Sequence, residues 1–203
     1  MSNLVALQKA TNGATARARK AAEKRRRILA AVRPAFLQYG FKRVTMNDLA
    51  AAAGISRPAL YLVFPNKERL FAELVLQVAR ELADGLKQRL PAVAAPADKL
   101  KLVFEFWFVR PFELVGSAEV LMEILRDIRE FAPDADAALD GMIEADLASV
   151  LRLVPRRALP KRARPKQLAH VLRLAMMGLQ RFSKDSRELQ RLIKDLLALT
   201  IRS

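Results

Sequence analysis

Thirteen lysines and arginines stand among residues 1–67: Lys9, Arg17, Arg19, Lys20, Lys24, Arg25, Arg26, Arg27, Arg33, Lys42, Arg43, Arg57 and Lys67. Only two acids, Glu23 and Asp48, oppose them there. Such side chains neutralise phosphates, and a guanidinium fork can also pair two acceptors on a base edge. The remaining residues carry 23 bases and 19 acids, so most of the net charge of +15 belongs to the first third. That asymmetry points to a polyanion partner, nucleic acid first and an anionic membrane surface second. Other chemistries lack their residues. With no cysteine, disulfides and thiolate metal sites are excluded, and a reducing cytoplasm is the expected location. His170, near Leu168 and Val171, is the only histidine and reads as a capped or solvated helix position. No metal constellation, cofactor loop or carboxylate pair accompanies it, so the sequence suggests neither an enzyme nor a metal or cofactor site.

The elements that position these cations are helices. Apolar residues make up 52% of the 203, too many for a disordered chain, and Ala, Leu, Arg and Glu dominate while Gly is scarce. An all-α protein of about nine helices is expected. No run of 18 apolar residues is free of charge, so no membrane span is expected. The stretch "TARARKAAEKRRR" shares the Arg-rich, acid-poor composition of a transit peptide, but it runs directly into a helix the next segment needs.

That first helix is expected over Ala21–Tyr39, with Ile28, Leu29, Val32, Phe36 and Tyr39 on one buried face and Gly40 ending it. Pro34 inside the pattern predicts a kink or a late start near Arg27. Thr45 and Asp48 have capping-box spacing for a short second helix that Gly54 stops. Ser56 then caps a third, with Pro58 in its first turn where a missing N–H does no harm. Ala50, Gly54, Ile55 and Leu60 supply the small residue, the positive-φ turn and the apolar locks of a helix-turn-helix; a plain corner between two helices shares this spacing.

Residues 25–75 resemble the N-terminal domain of the tetracycline-repressor (TetR) family of bacterial transcriptional regulators. The resemblance rests on Tyr39-Gly40-Phe41, Thr45, Asp48-Leu49-Ala50, Ala53-Gly54-Ile55-Ser56, Leu60-Tyr61, Phe64 and Asn66-Lys67-Glu68 with Leu70. It departs from the family at Leu62 and Val63, where polar or aromatic residues are common. The resemblance implies a basic arm (1–20), a DNA-binding domain (21–67) and a helical ligand-binding and dimerisation domain (68–203). It implies phosphate contacts for Thr45, Tyr61 and Lys67, and a base or phosphate contact for Asn47. Arg57, Pro58 and Ala59 occupy the exposed first turn of the recognition helix, Arg57 being suited to guanine and its two neighbours to a thymine methyl. Arg17, Arg19, Lys20, Lys24, Arg25 and Arg26 are expected along the DNA backbone or in a minor groove. Phe64 reads as a core aromatic, and Tyr61 as either core or contact.

Beyond residue 67, helices are expected over 67–90, 97–112, 117–131, 134–154, 165–182 and 186–201, punctuated by prolines. Phe104, Phe106, Trp107, Phe108 and Phe112 fall within nine residues, more than one helical face can bury. With Met122, Phe131, Met142, Met176 and Met177 they are the expected lining of an apolar effector site, whose ligand the sequence does not identify. Leu168, Leu172, Ala175, Leu179 and Phe182, then Leu189, Leu192, Ile193, Leu196 and Leu199, form apolar stripes on the last two helices. All but Leu199 are assigned here to the interface of a homodimer binding two-fold related half-sites on double-stranded DNA. "PRRALPKRARPK" (155–166) reads as an exposed basic loop. The expectation is therefore a homodimeric repressor released by a small apolar effector; a constitutive DNA-binding regulator and a helical enzyme for an apolar substrate are the alternatives.

Overall fold

The computed structural model describes residues 2–161 and 163–201, with side chains from Ala16 onward. Among them are ten α segments and no strand: α1 Ser2–Arg43, α2 Met46–Ala52, α3 Arg57–Tyr61, α4 Lys67–Arg89, α5 Pro96–Phe104, α6 Arg110–Val115, α7 Ala118–Phe131, α8 Pro133–Leu151, α9 Pro165–Phe182 and α10 Ser186–Thr200. A π turn, Glu105–Val109, joins α5 to α6, so the two make one rod and the described helices number nine. The chain divides into two compact units, Met1–Gln77 and Val78–Ser203.

In the first unit α1 presents Ile28, Leu29, Val32 and Phe36 to the core, as their spacing requires. Two expectations for this helix change. It starts at Ser2 rather than near Ala21 or Arg27 and passes through Pro34, because Ala30 and Pro34 lie on the exposed side, where water can take the carbonyl the proline leaves free. Tyr39 is 51% exposed, and Phe41 fills the core in its place. Gly40 has φ 74°, and that turn delivers Phe41 to Phe71, ring centroids 5.0 Å apart, and to Phe36 at 6.3 Å.

The second unit is built around the α5–α6 rod, which meets α8, α9 and α10. An α-helix turns about 100° per residue, so consecutive aromatics can all be buried only when neighbours stand on several sides. That is the arrangement found: Phe104, Phe106, Trp107, Phe108, Val109 and Phe112 are each at most 4% exposed. The free aromatic surface expected here is absent among the described residues because the rod is central. Polar groups inside are matched. Trp107 Nε1 donates to Asp146 Oδ2 at 2.9 Å, and Gln180 Nε2 donates to the Phe108 carbonyl of the π turn at 2.8 Å. Gly85 leaves the space Phe106 occupies: a Cβ there would lie 2.8 Å from its Cε1.

Candidate nucleic-acid interface

The turn between α2 and α3 is closed by hydrogen bonds that glycine makes possible. Gly54 has φ 64°, its N–H donates to Ala51 O at 3.0 Å, and the Ile55 N–H donates to Ala50 O at 3.0 Å. The pair is a Schellman ending, in which the left-handed residue turns the chain sharply off the α2 axis. Leu49, Ala50, Leu60 and Phe64 are buried beneath it. Ser56 Oγ accepts the Ala59 N–H at 3.3 Å and starts α3, with Pro58 in the first turn.

What α3 leaves outside is short and chemically mixed. Arg57 and Pro58 are exposed, Ala59 is partly so, and Tyr61 is 40% exposed. The Arg57 guanidinium stands over the Tyr61 ring, 5.5 Å from its centroid, which orients both side chains on the same exposed face. Leu62 is 88% exposed at the end of this helix, an apolar tip the sequence signalled only as a departure from the family pattern.

At the start of α2 the expected box is complete. Thr45 N–H donates to Asp48 Oδ2 at 2.9 Å, Asp48 N–H to Thr45 Oγ1 at 3.3 Å, and the Thr45 hydroxyl also donates to Asp48 at 2.7 Å. These bonds to Thr45 hold the Asp48 carboxyl below its usual range. The Thr45 hydroxyl proton is thereby committed, so an anion at this end meets chiefly the free N–H groups of α2. Asn47 is exposed beside it.

Two expected phosphate contacts are largely used inside the unit. Lys67 Nζ donates to Phe41 O at 2.7 Å and Val44 O at 2.9 Å and lies 4.2 Å from the Phe41 ring centroid, leaving one N–H uncommitted. Arg25 grips both oxygens of Glu73, at 2.7 and 2.8 Å, donates to Val63 O at 2.8 Å and covers the Phe64 ring. Expected along the DNA, it serves in this structure as a lock between α1, the α3–α4 turn and α4. The signal was available: Arg25 precedes Ile28 and Leu29 by three and four residues and so extends the buried stripe. Arg17, Arg19, Lys20, Lys24 and Arg26 are exposed on α1.

In the second unit the expected ligand residues are mostly core. Phe104, Trp107, Phe108, Phe112 and Met176 are buried, whereas Met122, Phe131, Met142 and Met177 are half-buried. A cavity of about 150 Å³ lies elsewhere, between α5 with its π turn and α10, lined by Lys101, Glu105, Val109, Gln190, Ile193 and Lys194. Charged helix positions like these read in sequence as a solvated face, and nothing there distinguished them.

The stripes assigned to dimerisation divide as well. Leu172, Leu189 and Ile193 are buried in their own unit and cannot meet a partner; Leu168, Ala175, Leu179, Leu192 and Leu196 are half-buried, and Phe182 is 81% exposed. The outward apolar residues of α9 are Phe182, which belongs to the expected stripe, and Val171 and Leu174, each one position before an expected residue; that of α10 is Leu199. Gly178 belongs to the same α9 face, with nothing within 4 Å of where its Cβ would be. His170 is exposed, its Nδ1 2.8 Å from Glu144, which also accepts from Arg173 at 2.8 Å. No group of three metal-ligating side chains occurs among the described residues, and no described helix is long and apolar enough to cross a membrane.

Residues 28–74 match the family model described as bacterial regulatory proteins, tetR family. The HTH-type transcriptional regulator RutR of Escherichia coli (strain K12) is 26% identical over 140 residues, covering 64% of this chain and 66% of RutR. Among solved structures, a TetR transcription regulator from Haloarcula marismortui superposes with a TM-score of 0.73 at 16% identity, over 89% of this chain and 100% of that one. AibR, solved in complex with isovaleryl coenzyme A and operator DNA, gives 0.60 at 16% identity, over 87% and 97%. At such identities the two structures speak for the fold alone.

Proposed function

We propose, from the match of residues 28–74 to the model of tetR-family bacterial regulatory proteins, that this chain is a sequence-specific, DNA-binding transcriptional repressor of that family that works as a homodimer in the cytoplasm. The observation that carries the reading is the exposed pair Arg57 and Tyr61 on a five-residue helix held by the Gly54 turn. A helix of that length fits a major groove with only its first turn at the bases, and Arg57 is the side chain there able to pair guanine O6 and N7. Arg57→Ala is expected to cost about 1–3 kcal/mol of discrimination at one base pair of each half-site. The measurement is duplex selection from random DNA before and after the substitution; an unchanged preferred sequence overturns the assignment.

The homodimer is supported by the outward face of Val171, Leu174, Gly178 and Phe182 on α9. Exposed apolar residues in one contiguous stripe mark an interface more often than scattered single ones. Sedimentation of Phe182→Glu is expected to show monomer where the unaltered chain shows dimer; an unaltered chain that sediments as monomer would sink this part of the reading.

An effector is the third element, supported by the solved relative that holds both an acyl thioester and its operator. In this chain the aromatic rod is filled, so admitting an apolar ligand requires side chains around Met122, Met142 and Met177 to move. Ligand would then shift the α4 segment that begins at Lys67, with a coupling of about 1–3 kcal/mol to DNA affinity. Operator titrations with and without candidate ligands test this, and operator affinity that no bound ligand alters would favour a constitutive regulator.

A further inference from the structure

We propose that the cavity between α5 and α10 is a binding site for a small aliphatic monocarboxylate, separate from the filled aromatic interior. Both walls belong to the second unit. Lys101, Glu105 and Val109, spaced four apart, line one wall from α5 and its π turn, and Gln190, Ile193 and Lys194 line the other from α10. Positions four apart on an α-helix drift by about 40° per step. The π turn, closed by the Arg110 N–H on the Glu105 carbonyl, winds less per residue and brings Val109 back towards the line of Lys101. Single π turns inside helices recur at functional sites, and this one shapes a cavity wall.

The lining has an apolar floor and a polar rim. Val109 and Ile193 are buried, whereas Lys101, Gln190 and Lys194 are exposed and Glu105 is half-buried. None of these four polar side chains makes a hydrogen bond or ion pair among the described residues, even though Lys101 and Glu105 stand one turn apart. Deeper in the same unit polar groups are matched: Trp107 with Asp146, Gln180 with the Phe108 carbonyl, and Arg173 with Asp140 and Glu144. Two ammoniums, a carboxylate and an amide are therefore uncommitted around one concave, apolar-floored space, the combination that a small-molecule site requires.

Charge and size identify the ligand class. Two lysines against one glutamate leave a single positive charge, which a monoanion neutralises; a phosphate dianion would be repelled by Glu105. Lysine stems are flexible and end in compact ammoniums, so both can reach one carboxylate while Val109 and Ile193 take an aliphatic chain out of water. A space of about 150 Å³ holds a molecule of roughly benzene size, so an acid of about five carbons fits with its carboxylate at the rim. The inference concerns one unit, needs no DNA and stands apart from the proposed function.

The test uses the full chain with its isoleucine methyls labelled for NMR, titrated separately with pentanoate, 1-pentanol and inorganic phosphate. Pentanoate is expected to shift the Ile193 methyl and to leave that of Ile143, in the core around the aromatic rod, in place. Pentanol and phosphate are expected to bind about tenfold more weakly or not at all. Lys101→Gln together with Lys194→Gln, both exposed positions, is expected to weaken pentanoate about tenfold with an unchanged thermal midpoint. An Ile193 methyl that pentanoate leaves unmoved at about 100 mM overturns the proposal, because a ligand of this size binds more tightly than that wherever it fits. So does a shift centred on Ile143, equal binding of pentanol or phosphate, or undiminished affinity in the double variant. Each outcome is read without DNA, so failure here leaves the reading of Arg57 on α3 intact, and the reverse holds.

Discussion

In the first unit an apolar core is supplemented by polar side chains at the joints between helices, whereas the centre of the second unit is chiefly apolar. In the first unit the joints carry polar side chains: Arg25 on Glu73 and Val63, Lys67 on Phe41 and Val44, Thr45 with Asp48, Ser56 at α3, and Asn66 accepting the Arg69 N–H at 2.8 Å. In the second, the centre is a rod of aromatics wrapped by Leu, Ala and Val from α4, α8, α9 and α10. Directional bonds fix angles, which a short helix at a groove requires to within about 10–20°. Apolar contacts fix volume and tolerate shifts of neighbouring helices, which a ligand-responsive unit requires. The difference teaches that the two units are built to different tolerances.

The largest effect that could break this comparison comes from the rod. Phe104 is fully buried, and its ring centroid lies 6.2 Å from that of Phe108. Phe104→Ala is expected to destabilise by about 3–5 kcal/mol, the usual cost of emptying a closed aromatic site. Chemical denaturation measures it. A loss below about 1 kcal/mol would mean that the aromatics line an accessible pocket, as the sequence led one to expect, and the contrast between the units would fail.

A smaller effect sharpens the polar side. Arg25→Lys keeps the charge but cannot grip both Glu73 oxygens and the Val63 carbonyl together. Because the side chain is 42% exposed, the expected loss is modest, about 1–2 kcal/mol, with the salt dependence of DNA binding unaltered. An unchanged midpoint together with a shallower salt slope would return Arg25 to the DNA.

The same residue shows what sequence can carry. Thr45, Asp48, Gly54, Ser56 and Pro58 act on groups within four residues of themselves, so their roles are written locally and were legible. The Arg25 lock spans 48 residues and the Lys67 clamp 26. In a run of cations, charge alone groups such residues with those that face solvent. On α9 the obstacle was different: Leu172 and Met176 face inward while Val171 and Leu174 face outward, so two apolar faces compete. Periodicity finds both faces, and only the placement of the neighbouring helices decides which is core.

The smallest expected effect tests the comparison through its sign. Burial holds the Asp146 carboxyl above its usual range, opposed by the Trp107 N–H and the Lys87 charge, whereas Thr45 holds Asp48 below its own. A raised folded value means the native state keeps its proton longer than the unfolded chain, so this contribution to stability is present at acid pH and lost as pH rises through that value. The Asp48 contribution runs the other way, present above the ordinary carboxylate range and lost as pH falls. Asp146→Asn keeps an oxygen for the Trp107 N–H and removes the buried charge. Its stability at neutral pH is expected to equal or exceed that of the unaltered chain, by less than about 1 kcal/mol after solvent screening, with the thermal midpoint moving the same way, and the gap is expected to close in acid. Asp48→Asn is expected to lose stability at neutral pH and to converge with the unaltered chain in acid. If both substitutions moved the midpoint in the same direction at neutral pH, charge would be serving the two units alike, and the division between polar and apolar fastening would have to be redrawn.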